Sequence, residues 1–448
     1  MRFTDLLANG QGVGRVGAQV VFVWGPLPGE RARVRILEVK KTYAVAEEIH
    51  ILEHSPERTV PFCPVFGTCG GCQVQHLSYE GQLAWKTRLV RDALERIGGF
   101  QAPPVRAAIG MDEPRAYRNK MALVVRSTED RIEFGFYQMR SHDFVPIAGC
   151  PVVLPQLNDT IAALRSIAAE PEFAAIFRDV LHAIARAGKA TGQIVLTLTT
   201  KMPSAPLAHA ARALSARVPG LVGLGNSFSP ASDNAILGRK HRELWGRTEM
   251  EERIPLPGGR ALRYRVSAPS FFQINTEIVS KIFESLDALP PPQRVVDLYC
   301  GAGTFSIWFA ARGAAVVGIE ENQAAIREAR VNSGLNGVRE KTEFVAGRVE
   351  TALRRSPGYD ALLRAEVAFL DPPRKGCEPQ TLDALVGARV PSIWYLSCNP
   401  ATLARDLAQL RGGGYALESV QPFDMFPQTG HVEALVTMRR TESSHAKT

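Results

Sequence analysis

Arg294-Val295-Val296-Asp297-Leu298-Tyr299-Cys300-Gly301-Ala302-Gly303-Thr304 is the stretch that decides the fold. A short apolar strand runs into a turn with two glycines, and a helical stretch, Phe305 to Arg312, follows at once. The same alternation then repeats. Ala315 to Glu320 reads as a strand ending in an acid, Ala324 to Asn336 as a helix, and Val367 to Asp371 and Ile393 to Ser397 as further strands. Strands separated by helices predict a doubly wound parallel sheet. Such sheets bind their ligands outside the carboxyl ends of the strands.

The glycines of Asp297-x-x-x-Gly301-x-Gly303 let backbone approach a ligand closely. About twenty residues on, Glu320 ends the next strand, where an acid is placed to accept two ribose hydroxyls. The turn is not Gly-x-Gly-x-x-Gly, since Phe305 and Ser306 follow Thr304, and no lysine-threonine phosphate cradle is present. A nucleoside cofactor poor in phosphate, such as S-adenosylmethionine, therefore fits better than NAD or ATP. Cys300 reads as a packing thiol.

Two later strand ends carry reactive groups. Asp371-Pro372-Pro373-Arg374 holds an acid over the sheet edge on a loop stiffened by prolines. Ser397-Cys398-Asn399-Pro400 places a thiol just before a helix, Ala401 to Arg411, whose positive end is expected to lower its pKa. A thiolate is the soft nucleophile that adds to an electron-poor ring carbon. Asp424-Met425-Phe426-Pro427-Gln428-Thr429-Gly430-His431-Val432-Glu433 then brings Glu433, a candidate general base, directly before the strand Ala434 to Met438.

Upstream, residues 1–53 read as a small OB-like β barrel with Arg31, Arg33, Arg35, Lys40 and Lys41 on it, a type that commonly binds RNA. Ser78 to Ile97 reads as a helix stopped by Gly98-Gly99, able to pack on the C-terminal domain. The middle, 54–265, mixes strands (Met121–Val125, Ile194–Thr199) with helices (Asn158–Ala169, Leu207–Ala216), which predicts an α+β domain. The α/β domain is placed at 266–440, and the polar tail, 441–448, is expected to be disordered. Cys63-x5-Cys69-Gly70-Gly71-Cys72, with the distant Cys150, suggests a metal site. Spacing alone leaves zinc and iron-sulfur open. Cys377 reads as packing.

Composition bounds the function. A net charge of +8 favours a polyanionic partner. The absence of a long apolar run argues against a membrane span, and the start lacks signal-peptide character, so a cytoplasmic location is expected. Seven cysteines in 448 residues do not make a disulfide scaffold. No obligate protein partner is evident.

Gln273 in Ser270-Phe271-Phe272-Gln273-Ile274-Asn275, the Asp297 to Gly303 turn, Asp371-Pro372-Pro373-Arg374, Ser397-Cys398-Asn399-Pro400 and His431-Val432-Glu433 stand in the order of the RNA uracil-5-methyltransferase family. The chain resembles that family over nearly its whole length. The resemblance implies a Rossmann-like S-adenosylmethionine methyltransferase domain, with Gln273, Tyr299, Glu320 and Asp371 on the cofactor and Gly301 and Thr304 lining its turn. It implies Cys398 as the nucleophile, Glu433 as the base, and RNA contacts from Arg118 (in Tyr117-Arg118-Asn119-Lys120) and from Phe271 or Phe272. The barrel is similar to a TRAM domain. The cysteines resemble those of the iron-sulfur subgroup, which implies a [4Fe-4S] cluster on Cys63, Cys69, Cys72 and Cys150 and 23S rRNA as substrate. Tyr299 and Thr304 stand where that subgroup often carries Phe and Asn.

Alternative readings remain. The same chemistry on transfer RNA is one. A non-catalytic RNA-binding protein is another, against which Cys398, Glu433 and Gln273 all argue. An amino methyltransferase would want an aromatic after Pro373 and needs no thiol. A cytosine-5 enzyme would favour Pro-Cys where Pro373-Arg374 stands.

Overall fold

The computed structural model describes residues 1–441 except 130, 229–235, 239, 257 and 269. The tail 442–448, expected to be disordered, lies outside them. Among the described residues no helix is long and apolar enough to cross a membrane.

Five strands form the N-terminal barrel: β1 (Phe3–Leu6), β2 (Gln11–Val16), β3 (Gln19–Trp24), β4 (Arg31–Val39) and β5 (Tyr43–Glu53), in the order β1-β2-β3-β5-β4. β3 and β5 run parallel and the other neighbours antiparallel. A bridge from Arg2 to Arg31 closes the sheet, and the Ala32 N–H donates to the Met1 carbonyl at 2.9 Å. Closure removes free strand edges. Phe3, Val21, Val23, Ala32, Ala44, Ala46 and Ile51 fill the interior.

Helix α1 (Tyr79–Arg96) follows the cysteine-bearing loop. Its N-cap is Ser78, whose Oγ accepts from the Gly81 N–H at 3.1 Å. Val90 and Leu94 are buried in one cluster with Leu403, Leu407 and Leu410, so this helix does pack on the C-terminal domain.

The middle domain is one mixed sheet with helices. Its elements are β6 (Lys120–Ser127), β7 (Ile132–Tyr137), β8 (Phe144–Pro146), α2 (Pro155–Ala168), α3 (Pro171–Phe177), β9 (Val180–Ala187), β10 (Ile194–Thr200), α4 (Leu207–Arg217), β11 (Leu221–Phe228) and β12 (Lys240–Gly246). The strand order is β12-β11-β10-β9-β6-β7-β8. A hairpin, β13 (Glu249–Pro255) and β14 (Ala261–Ser267), comes next. Its Met250, Ile254, Leu262, Tyr264 and Val266 share a core with Phe283, Phe305 and Trp308. By packing it belongs with the α/β domain, upstream of the boundary expected at residue 266.

The α/β domain contains α5 (Thr276–Asp287), β15 (Arg294–Leu298), α6 (Thr304–Ala311), β16 (Ala315–Glu320), α7 (Gln323–Leu335), β17 (Thr342–Ala346), α8 (Val349–Ala352), α9 (Gly358–Arg364), β18 (Val367–Leu370), α10 (Pro379–Ala388), β19 (Ser392–Ser397), α11 (Pro400–Gly412), β20 (Tyr415–Phe423) and β21 (Glu433–Arg440). The order is β17-β16-β15-β18-β19-β21-β20, parallel except for β21, which opposes both neighbours. Every residue of β18 and β19 is buried, as expected for strands covered on both faces. The strand order reverses between β15 and β18, which opens a ligand crevice at their carboxyl ends.

Candidate active site

Register builds the site. Leu298 pairs with both Ile319 and Leu370, and Ser397 pairs with Ala434. Tyr299, Glu320, Asp371, Cys398 and Glu433 therefore share one edge of the sheet. The antiparallel direction of β21 brings the start of that strand, Glu433, beside the residue that follows the end of β19, Cys398.

On one side lies the glycine turn. Gly301 and Gly303 adopt φ of 53° and 84°, and Tyr299 adopts 66°, a left-handed conformation that costs energy for a side chain with a Cβ. Gly303 caps α6, whose first residue, Thr304, is buried. Glu320 is oriented by backbone. Gly301 N–H donates to its Oε2 at 3.2 Å and Asn322 N–H to its Oε1 at 2.8 Å. Asp297 is buried and accepts from Ser306 Oγ at 2.5 Å, but its Oδ1 has no partner among the described residues. Burial, with the nearby charge of Glu320, pushes its carboxyl up to about 7. An orphaned carboxylate oxygen at this turn fits a ligand that brings hydrogen-bond donors.

Gln273 is buried and donates from Nε2 to Asp371 Oδ2 at 3.3 Å. The middle domain holds the strap on which it lies. Arg186 Nη2 donates to the Ser270 carbonyl (2.8 Å), Asn119 Nδ2 to the Gln273 carbonyl (2.9 Å) and Asn119 N–H to the Ile274 carbonyl (3.0 Å). Ser270 Oγ donates to Glu328 at 2.6 Å. Phe272 is buried against Tyr264, whereas Phe271 is 72% exposed, so only Phe271 of the pair is free to stack on a base.

Cys398 is half-buried at the end of β19. Asn399 caps α11 through Oδ1 to the Ala401 N–H (3.1 Å), and its Nδ2 donates to the Arg374 carbonyl (3.0 Å), so the two strand-end loops are tied together. The expected lowering of the thiol pKa does not occur. Burial, then the carboxylates of Glu433 and Asp371, push Cys398 up to about 11 against the opposing charge of Arg374. Asp371 is raised to about 8 by burial and by Asp297. Glu433 stands well above the carboxylate range through burial and Asp371, with Arg374 opposing. Arg374 Nη2 lies 3.3 Å from His431 Nε2. Desolvation and the charges of Arg374, Lys86 and Arg118 hold that imidazole down to about 4.

Arg374 and His431 were not singled out as site residues from sequence. Their position beside Asp371-Pro372-Pro373 and Glu433 was the available signal. The ion pair between Lys86 and Asp424, both fully buried at 2.5 Å, was also missed because its partners lie 338 positions apart.

Cys63, Cys69, Cys72 and Cys150 line one cavity of about 520 Å³ together with Arg118, Lys120 and Ile274. The Gly71 N–H points at Cys69 Sγ, 3.4 Å away. Among the described residues no group of three or more His, Cys, Asp or Glu side chains has the geometry to hold a metal ion. Arg118, expected to touch RNA, lines this cavity, and its buried Nε has no partner among the described residues. Burial opposes its charge, but Tyr117, Cys72 and Cys150 outweigh it and raise its pKa. Cys300 packs with Ile326, Ala329 and Phe344, and Cys377 is buried 3.6 Å from Tyr395 Oη.

The sequence pattern described as tRNA (Uracil-5-)-methyltransferase matches residues 233–441, and that of the TRAM domain matches residues 2–48. The chain is 36% identical over 444 residues to a protein of Halalkalibacterium halodurans named as an RNA methyltransferase, covering 97% of this chain and 95% of that relative. It is 38% identical over 450 residues to one of Gloeobacter violaceus with the same description, covering 98% and 95%. Among solved structures it is similar to the Pyrococcus abyssi tRNA (uracil-54, C5)-methyltransferase in complex with S-adenosyl-L-homocysteine. That match has a TM-score of 0.76 and 25% identity, and covers 98% of this chain and 99% of the other.

Proposed function

The chain belongs to the RNA uracil-5-methyltransferase family, and we propose on that footing that it methylates carbon 5 of a uridine in 23S rRNA through a covalent Cys398 adduct. The observation that carries this reading is the pairing of Ser397 with Ala434, which sets Cys398 beside Glu433 on the edge shared with Asp371 and the glycine turn.

S-adenosylmethionine, when bound, supplies an electrophilic methyl group and a positive charge. Gln273, Tyr299, Glu320 and Asp371 hold it, with Gly301 and Thr304 at the turn. A positive ligand favours the ionised forms of Asp371, Glu433 and Cys398 together, so the groups whose protonation burial favours become competent when the site fills. Cys398, as thiolate, forms a bond to carbon 6 of uracil. The displaced electron pair makes carbon 5 nucleophilic, and carbon 5 takes the methyl group. Glu433 removes the carbon-5 proton. The electron pair left behind restores the double bond and expels Cys398. The target base has to leave its stack to reach this edge, and the exposed Phe271, two residues before Gln273, is the aromatic that would receive it.

The second part of the proposal is a [4Fe-4S] cluster on Cys63, Cys69, Cys72 and Cys150. These thiols line one cavity, and the resemblance of their spacing to the iron-sulfur subgroup favours the cluster over a zinc ion on the same four sulfurs. The Gly71 N–H at Cys69 and the Arg118 guanidinium suit anionic thiolates, which gives Arg118 a role at this cavity. Such a group would tie the cysteine loop to the middle domain, and methyl transfer asks no redox step of it. The combination of TRAM barrel and four cysteines favours 23S rRNA. The printed substrate of the Pyrococcus abyssi protein keeps transfer RNA as the second reading.

RNA carrying 5-fluorouridine tests the mechanism. Glu433 cannot remove fluorine, so a denaturant-stable complex is expected, with the RNA attached at Cys398. Cys398→Ala is expected to lose the complex and keep RNA binding; absence of the complex with the wild-type chain contradicts the reading. Anaerobically purified protein is expected to carry equimolar iron and sulfide, both lost in Cys72→Ser. Zinc in their place contradicts the cluster.

A further inference from the structure

We propose that Gln428 is a positioning residue through which the cysteine-bearing loop sets Glu433 against the substrate, an inference that rests on the methyl-transfer reading above. Gln428 lies five residues before Glu433 and is 3% exposed. Its φ of 70° is left-handed although it carries a side chain, a conformation that persists only where the surroundings impose it.

Those surroundings use each of its polar atoms. Its N–H donates to Gln82 Oε1 at 3.0 Å, and its Oε1 accepts from Gln82 Nε2 at 3.0 Å. Its Nε2 donates to the Pro114 carbonyl at 3.3 Å. Its carbonyl accepts from the N–H groups of Gln73 (2.9 Å) and Val74 (3.1 Å). Gln73 directly follows Cys72, which lines the cysteine cavity. Gln82 also donates to the carbonyls of Val74 (3.1 Å) and Leu77 (2.9 Å). One buried glutamine thus joins the cysteine loop, helix α1 and the segment that ends in Glu433.

The chain from Gln428 to Glu433 has little slack. Thr429 Oγ1 donates to the Phe426 carbonyl at 2.8 Å, and the His431 N–H donates to Thr429 Oγ1 at 3.3 Å. Gly430 lies against the barrel, where a Cβ would stand 1.7 Å from the Ala8 carbonyl oxygen. Upstream, Tyr117 Oη donates to the Pro427 carbonyl at 3.0 Å, and Lys86 holds Asp424 and the Phe426 carbonyl. A shift at Gln428 therefore passes to Glu433. Cys398, on another strand, is held independently by the Asn399 cap.

This separation gives the test. Loss of the Gln428 contacts is expected to slow proton removal and leave thiol addition and methyl transfer in place. The substrate is a mixture of unmodified 23S rRNA and transfer RNA transcripts tritiated at uracil carbon 5. The full-length protein is assayed with S-adenosylmethionine for methyl incorporation, tritium release and denaturant-stable adduct. In the wild type, methyl incorporation and tritium release are expected to run in step. In Gln428→Gly, which tolerates the backbone angle, tritium release is expected to lag by roughly tenfold to a hundredfold while adduct accumulates. Gln82→Met removes both Gln82–Gln428 hydrogen bonds from the α1 side and carries the test if the first variant fails to fold. An equal fall in adduct formation and tritium release, or no change in either, overturns the proposal. Glu433→Gln is the control. If it traps no methylated adduct, the methyl-transfer reading itself fails, an outcome distinct from failure at Gln428.

Discussion

Asp371, Glu433 and Cys398 each hold a proton more tightly than the free side chain does, and burial is the first cause in all three. For Asp371 the folded value of about 8 lies above the ordinary 3.8. A raised value means that the folded chain binds a proton the unfolded chain has released. This contribution to stability is full below pH 3.8 and lost as pH rises through about 8. Asp371→Asn removes the titration. The ligand-free variant is expected to melt a few degrees above wild type at pH 8.5, with a smaller gain at pH 5, and to bind S-adenosylmethionine poorly. Thermal melts at the two pH values check the sign, and a lower melting temperature for the variant at pH 8.5 contradicts it. Cofactor binding is expected to release protons and to tighten from pH 6 to pH 8, which calorimetry in buffers of different ionisation enthalpy measures. The place of Cys398 at the sheet edge was legible because it ends an apolar strand before Asn-Pro. Its pKa was not, because Glu433 and Asp371 reach it from 35 and 27 positions away in the chain.

Elements with continuous apolar runs were legible almost to the residue: β15 and β16 match their expected spans, and α1 falls within one residue at each end. Strands whose sequence mixes polar and apolar residues were not. β17 (Thr-Glu-Phe-Val-Ala) and β20, with Glu418 and Ser419, lie at the two edges of the sheet, where exposed positions blur the pattern. The hairpin β13–β14 was placed with the middle domain because its charged face dominates the sequence. Its buried face, which meets α5 and α6, decides otherwise. The segment 424–432 was legible as the carrier of Glu433, but its fit against the barrel was not, since Ala8 lies more than 400 positions away. Gly430→Ala forces apart the segment and the Ala8 carbonyl. It is expected to cost roughly 1–3 kcal/mol, the range of an overpacked buried site. Denaturant unfolding measures this, and a midpoint equal to wild type refutes the close contact.

On the scale of the whole molecule, the α/β domain that carries Cys398 is braced by three other parts of the chain: the barrel presses on Gly430, the cysteine loop holds Gln428, and the middle domain holds the strap with Gln273. The domain types were legible from composition and periodicity, but this convergence depends on tertiary contacts that no local pattern encodes. The net charge of +8 predicts that RNA affinity falls linearly with the logarithm of salt concentration, and a flat response contradicts an electrostatic RNA interface. The central claim is the reaction on uracil, and nucleoside mapping tests it most directly. The protein is incubated anaerobically with methyl-labelled S-adenosylmethionine and unmodified 23S rRNA or transfer RNA, and the RNA is digested to nucleosides for mass analysis. Label at uracil carbon 5 of 23S rRNA is the predicted result. Label confined to transfer RNA keeps the chemistry and overturns the substrate, and no label in either RNA, with cluster and cofactor bound, contradicts the enzyme reading altogether.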